Sequence, residues 1–125
     1  MLEDRLVVEV VNATRGTSVA RQVRVARSFW ARGRGLMFAH GMPDGSGLVI
    51  DPCSSIHMFF MRFPLDVIYL NKDDRVVRIQ QNIRPWRIGP VHTSGARYVI
   101  ELPIGSIERS RTAVGDIMSF TQPTE

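Results

Sequence analysis

The chain has 125 residues, of which 44% are apolar and 22% charged, and its formal net charge is +4 at neutral pH. This length and composition predict one soluble folded domain spanning residues 1–125 and exclude a disordered or low-complexity protein. The single cysteine, Cys53, excludes an intrachain disulfide and a cysteine-rich zinc site.

Short apolar segments separated by turn residues predict a series of strands in the first half of the chain. We expect these strands at Leu6–Val11, Val19–Ala26 and Leu48–Ile50. Between the last two, Ser28 is positioned to cap a short helix that ends at Gly33 or Gly35. Residues 40–47 are rich in glycine and predict a loop.

Pro64 divides the most apolar part of the chain, because proline cannot donate a hydrogen bond to a sheet. An extended segment, 56–63, therefore precedes a strand at 66–70, and a hairpin turn at 71–74 leads into a partner strand at 75–83. Beyond a loop at 84–95, the pattern predicts in turn a strand at 96–102, a short helix at 103–111 and a last strand at 117–120. Together these elements predict a mainly β fold (α+β with two short helices), in a compact barrel-like or clip-like domain.

No apolar run is long enough for a membrane span, since the longest, Ile56–Leu70, is interrupted by proline and by polar and charged residues. The N-terminus also lacks the pattern of a signal peptide. We therefore expect no membrane span and a cytoplasmic location if Met1 is the natural start. If it is not, export is left open.

Several ordered blocks resemble a known family. The most specific is SIHMFFMRFPLDVIYLN, which begins at Ser55, and the others are Gly35–Phe38, Gly47–Ile50, Ala96–Leu102 and Val114–Asp116. Over about residues 7–120 the chain resembles the prokaryotic family called domain of unknown function 192. The resemblance implies a small β-rich, barrel-like domain with minor helices, and no established activity, cofactor or catalytic residue. One departure is the hairpin turn, which often ends in Asp-Gly in relatives and here ends in Asp73-Asp74.

The central apolar stretch carries four reactive side chains, Cys53, His57, Arg62 and Asp66. Charged groups in apolar surroundings need partners. Arg62 and Asp66 therefore either pair with each other, or Asp66 accepts backbone N–H groups at the Pro64 bend. In the functional alternative, Arg62 anchors an anionic ligand and Asp66 acts as a base or orients one.

Cys53 and His57 could form a nucleophile and base pair, but the sequence supplies no orienting group or oxyanion site for it. A small buried cysteine and a hydrogen-bonded core histidine are the commoner arrangement. The histidines and the cysteine follow no metal-binding spacing, so we expect no metal site and no cofactor.

The basic residues are nearly all arginine, and two of them lie in one loop with a tryptophan and a histidine. Fifteen of the sixteen are arginine, which favours carboxylates and phosphates, although a GC-rich genome gives the same bias. The 84–95 loop contains Arg84, Trp86, Arg87 and His92, which with Arg62 are our candidate ligand-binding residues. No nucleic-acid motif is present, so weak nucleic-acid binding is a second alternative only.

The sequence thus favours a non-enzymatic accessory module that binds a small anionic ligand or a protein, as a monomer or weak dimer. The alternative is an enzyme for a small anionic substrate, in which His57 and Asp66, with or without Cys53, perform acid–base chemistry and Arg62 holds the substrate. The two differ in whether these side chains meet in one solvent-open pocket.

Overall fold

The computed structural model describes residues 6–27, 41–55, 62–86 and 93–122. Within these ranges the chain forms seven strands and one short helix. In chain order they are β1 (Val7–Asn12), β2 (Thr17–Ala26), β3 (Ser46–Ile50), β4 (Leu65–Leu70), β5 (Val76–Ile83), β6 (Tyr98–Pro103), α1 (Ser106–Ser110) and β7 (Met118–Thr121).

The strands form a single sheet in the order β5-β4-β6-β3-β2-β1-β7. Neighbouring strands are antiparallel except β2 and β3, which run parallel. The sheet curls into a half-barrel, and its two edge strands approach each other where Arg75 and Ile117 form an isolated bridge. There the N–H of Val76 donates to the carbonyl of Asp116 at 2.8 Å. This contact protects one end of both edges, which would otherwise present unpaired backbone groups.

The inner face of the curled sheet carries the main core, to which every strand contributes. Its fully buried side chains include Val10, Val23, Ile68, Ile100 and Met118. Gly47 lies where strands β3 and β6 approach closely. A Cβ at position 47 would lie 3.0 Å from Leu102 Cδ2 and 3.2 Å from Val23 Cγ2, so a larger residue would crowd this core.

The outer face of the central strands carries a second, smaller core. It contains the side chains of β3, β4 and β6 that point away from the inner core, together with partly buried residues from the loops: Leu48, Ile50, Leu65, Val67, Tyr69, Val99, Met42, Cys53, Phe63 and Ala96. All six residues of β4 and all six of β6 are consequently buried. Every polar group on these two strands is therefore removed from water.

The predicted mainly β, barrel-like fold is confirmed. The helix predicted at 103–111 is present as the shorter α1, and the hairpin turn at 71–74 connects β4 to β5. The helix predicted after Ser28 lies outside the described residues, as does most of the extended segment 56–63.

A buried polar network fixes the corner beside β7. Asp116 Oδ2 accepts hydrogen bonds from Asn12 Nδ2 at 2.9 Å, from Arg15 Nε at 3.1 Å and from the N–H of Ala113 at 2.9 Å. Burial acts to raise the pKa of the Asp116 carboxyl, but these hydrogen bonds and the Arg15 charge outweigh it and lower the pKa. The network links the β1–β2 turn to the segment that precedes β7.

The hairpin turn contains a left-handed aspartate. Asp74 has φ +64°, a conformation that glycine adopts more readily. Its side chain compensates, because Asp74 Oδ1 accepts a hydrogen bond from the hydroxyl of buried Tyr98 at 2.7 Å. A glycine at position 74 would adopt this backbone conformation more easily, whereas the aspartate side chain provides a hydrogen-bond acceptor for the buried Tyr98.

We predict that Asp74→Gly lowers the free energy of unfolding by about 1 kcal/mol. Glycine adopts the left-handed conformation at position 74 more easily, which stabilises the folded state. This gain is smaller than the cost of losing the Tyr98 hydrogen bond, the only one that the described residues provide to its hydroxyl. In a Tyr98→Phe background the same change should be neutral or stabilising. Urea unfolding of the four proteins measures the coupling, and a stabilising Asp74→Gly in the parent would contradict it.

Candidate functional site

Asp66 has a structural position at the start of β4. Its side chain lies on the inner face, is 1% exposed, and accepts hydrogen bonds from the backbone N–H of Asn82 at 2.9 Å and of Ile107 at 3.1 Å. Among the described residues it forms no ion pair with Arg62. Asp66 thus accepts backbone amides, as one interpretation of the sequence had it, but they come from β5 and α1 rather than from the Pro64 bend. The carboxylate joins three elements at one end of the sheet.

We predict that Asp66→Asn lowers the free energy of unfolding by about 2–4 kcal/mol. An asparagine offers one acceptor oxygen, so it leaves one of the two backbone N–H donors, of Asn82 or of the buried Ile107, facing an NH₂ group. Asp44→Asn, at an exposed loop position, is the control and should be neutral. Chemical unfolding of the two variants checks this, and equal stabilities would contradict it.

The register of the central strands gathers three of the candidate ligand-binding residues at the same end of the sheet. Leu65 of β4 pairs with both Ile83 of β5 and Pro103 of β6. The segments beyond these positions therefore leave the sheet at the same end, and they carry Arg62, Arg84, Trp86 and Ile104. We call this group the basic–aromatic end.

The basic–aromatic end is open to solvent. Arg62 and Arg84 are exposed, and Trp86 and Ile104 retain 58% and 51% of their surface. Trp86 also has φ +66°, a left-handed conformation that is uncommon for a bulky residue and costs about 1 kcal/mol or more. Strained backbone of this kind concentrates at functional sites. Arg87 and His92 lie outside the described residues.

Cys53 lies near the opposite end of the central strands. Its N–H donates to the carbonyl of Arg97, which directly precedes β6, and its thiol donates to the carbonyl of Ser55 at 2.8 Å. The side chain packs on the outer face, whereas Asp66 lies on the inner face. The structure therefore does not bring Cys53 and Asp66 into one pocket. His57 lies outside the described residues.

Glu101 is not among the candidate functional residues that the sequence predicted. It lies in the middle of the sheet, paired with Leu48 of β3 on one side and Val67 of β4 on the other, and is 5% exposed. Its Oε1 atom is buried without a hydrogen-bond partner, the only other such side-chain oxygen in the described ranges being Thr93 Oγ1. Desolvation by burial raises the pKa of the carboxyl from 4.5 to about 7.

Tyr69 links Glu101 to Cys53 on the outer face. Burial raises the pKa of the Tyr69 hydroxyl, Arg78 opposes that rise, and the charges of Cys53 and Glu101 add to it. The hydroxyl is committed to Gln80, with 2.7 Å between Tyr69 Oη and Gln80 Oε1. Glu101 therefore has titratable neighbours but no hydrogen-bond donor from the described part of the chain.

We predict that stability falls as pH rises from 4.5 to 8, by about 3 kcal/mol, and that Glu101→Gln removes this fall. The folded state favours the neutral carboxyl, so the stabilisation is complete below pH 4.5 and is lost as pH rises through about 7. The pKa of the Asp116 carboxyl is lowered in the folded state, so its contribution to stability is lost as pH falls. This effect lies at lower pH, near and below 3.8. Urea unfolding at several pH values measures this, with the exposed Glu108→Gln as control. A profile that Glu101→Gln leaves unchanged would contradict it.

The described ranges contain no group of three or more His, Cys, Asp and Glu side chains arranged to hold a metal ion. In the same ranges no helix has the length and apolar character that a membrane crossing requires.

Comparison with known proteins places the chain in a family. Residues 10–120 match the model of DUF192, described as an uncharacterized ACR. The chain belongs to this family, as its sequence motifs predicted. A UPF0127 protein of Thermococcus sibiricus is 35% identical over 111 residues, covering 86% of this chain and 71% of the relative. A UPF0127 protein of Pyrococcus horikoshii is 38% identical over 112 residues, covering 86% and 94% respectively.

Two solved structures share the fold. A protein of unknown function from Novosphingobium aromaticivorans superposes with a TM-score of 0.77 at 25% identity, covering 91% of this chain and 84% of the other. A protein of Sinorhizobium meliloti, named as a candidate transcription regulator, gives a TM-score of 0.78 at 24% identity, covering 91% and 92%. At that identity the second match supports the fold alone. The family is one of unknown function, and these similarities assign no specific activity.

Proposed function

We propose that the chain is a non-enzymatic binding module that recognises an acidic ligand through its basic–aromatic end. The observation that supports this is the strand register, by which Arg62, Arg84 and Trp86 follow or precede positions that pair with one another in β4 and β5. These residues are distant in the sequence, and the pairing of Leu65 with Ile83 brings their segments to the same end of the sheet. A carboxylate or phosphate is the chemical group that two arginines select.

Hydrogen bonds behind the basic–aromatic end hold it in place, which favours a binding site over a mobile surface loop. Asp66 ties the start of β4 to Asn82 near the end of β5 and to Ile107 in α1, immediately behind the exposed residues. Arg84 and Trp86 therefore extend from a buttressed strand end, which lowers the entropy lost when a ligand is bound. The exposed indole of Trp86 adds an apolar surface that can stack on a planar group.

A catalytic alternative receives less support. It requires Asp66 to exchange protons with a substrate, but the Asp66 carboxylate is 1% exposed and engaged by two backbone amides. A reaction that a folded Asp66→Asn variant no longer catalysed would nevertheless restore this alternative.

The binding proposal predicts that acidic probes quench Trp86 fluorescence. The chain has two tryptophans, so a Trp30→Phe background leaves Trp86 as the single reporter. Pyrophosphate, citrate and a hexaglutamate peptide are the probes. We expect saturable quenching by at least one of them, weakened by added salt and weakened roughly tenfold or more by Arg84→Ala, since one charge-assisted hydrogen bond is worth about 1.5–3 kcal/mol.

Arg24→Ala is the matched control, because Arg24 is an exposed arginine on β2, across the sheet from this end. It should leave the affinity unchanged. An equal loss in both variants would reduce the effect to net charge, and no quenching by any probe would refute the proposal. A generic DNA duplex in the same titration tests weak nucleic-acid binding, which would show as a steep dependence of affinity on salt.

A further inference from the structure

Ile104 is an exposed apolar side chain on a fixed turn. It retains 51% of its surface, although it directly follows the buried Pro103. The turn is held on both sides, because the carbonyl of Pro103 accepts a hydrogen bond from Ser106 Oγ at 2.6 Å and the carbonyl of Gly105 accepts one from the N–H of Arg109 at 2.9 Å. A single exposed isoleucine is common on a protein surface, so its position relative to the arginines decides its meaning.

Asp66 fixes the turn of Ile104 relative to the strand end that carries Arg84. Its Oδ2 atom accepts a hydrogen bond at 3.1 Å from the N–H of Ile107, in the helix that directly follows the turn. Its Oδ1 atom accepts one at 2.9 Å from the N–H of Asn82, shortly before Arg84. One buried carboxylate therefore holds the backbone on both sides of β4, and the apolar and the cationic residue are mounted on the same support.

The sheet sets the distance between these two mounts. Strand β4 lies between β5 and β6, and its Leu65 pairs with Ile83 on one side and with Pro103 on the other. Adjacent strands are about 4.8 Å apart, so the backbones of Ile83 and Pro103 are separated by about 10 Å. Arg84 and Ile104 are the next residues along the chain. A cationic and an apolar side chain thus flank β4 at a separation that one small molecule can span.

We propose that the acidic ligand of the basic–aromatic end carries an apolar chain, with its acidic group on Arg84 and the chain against Ile104 and Trp86. This inference rests on the proposed function and narrows its ligand class to amphipathic anions, of which alkyl carboxylates are the simplest. Ile104 is then a specificity-determining residue, because it selects the apolar part of the ligand while arginine selects the charge.

The composition of this end favours an amphipathic anion over a purely polar or a purely apolar ligand. An inorganic phosphate or a polyacidic chain would leave the exposed surfaces of Trp86 and Ile104, 58% and 51%, in contact with water. A neutral apolar ligand would gain nothing from the charge of Arg84. A ligand with both parts covers the apolar surface and forms a charge-assisted hydrogen bond in the same binding event.

The test is a titration with butyrate, hexanoate and octanoate, using the full chain in the Trp30→Phe background so that Trp86 alone reports binding. We expect the affinity to rise by about twofold for each added CH₂, and by roughly 16-fold from butyrate to octanoate, since a fully buried CH₂ gives about fourfold and an exposed wall gives less. Hexanol, which lacks the charge, should bind roughly tenfold more weakly than hexanoate. Arg84→Ala should weaken all the carboxylates by about the same factor, roughly tenfold, and so preserve the octanoate-to-butyrate ratio.

Ile104→Ser separates apolar recognition from charge. It should lower the octanoate-to-butyrate ratio to about fourfold or less and change the butyrate affinity by less than about twofold, because the short chain stays near the arginine. Val114→Ser is the matched control, since Val114 is 60% exposed but lies in the segment before β7. There the neighbouring Gly115 N–H donates to the carbonyl of Val76, at the start of β5, whereas Arg84 follows the end of that strand. This control should keep the parent ratio.

Three outcomes would overturn the inference. They are equal affinities for butyrate and octanoate, a ratio that Ile104→Ser leaves unchanged, and octanoate binding that Arg84→Ala does not weaken. If pyrophosphate or citrate binds in a manner that depends on Arg84 while the chain-length ratio is one, the binding function stands and this inference alone fails. If no acidic probe binds, the alkyl carboxylates included, both fail.

Discussion

The burial of β4 and β6 on both faces is the constraint on which the rest of the structure depends. These strands lie side by side near the middle of the sheet, with the inner core on one face and the outer core on the other. Each polar side chain that they carry is removed from water and must find a partner within the protein. Asp66 meets this requirement, whereas Glu101 Oε1 does not.

Asp66 meets it completely. Two backbone amides from different elements converge on its carboxylate, which makes it a fixed connection between β4, β5 and α1. The tyrosines follow the same rule, since Tyr69 bonds to Gln80 and Tyr98 to Asp74. Against this background the unpartnered Oε1 of Glu101 is an exception.

Much of the fold could be predicted from the sequence because its signals are local. Pro64 and the turn at 71–74 mark the limits of β4, and the apolar segments give most of the strands. The role of Glu101 could not be predicted in this way. Alternation along 98–102 is typical of a strand with one exposed face, but the outer core covers Val99 and Glu101 as well, and that core is assembled from distant loops. The grouping of Arg62 with Arg84 likewise depends on register, which sequence patterns fix poorly.

The same contacts explain why binding is a better interpretation than catalysis for the described part of the chain. Acid–base chemistry needs a titratable group with a second group positioned to act on the same ligand. Asp66 is closed off by backbone amides, and Glu101 has as neighbours a tyrosine committed to Gln80 and a thiol committed to the Ser55 carbonyl. A single buried carboxyl can attract a positively charged group, but without a second group beside it, it cannot perform acid–base catalysis. Together with an exposed tryptophan in the segment that follows β5, this supports the proposed binding function over catalysis.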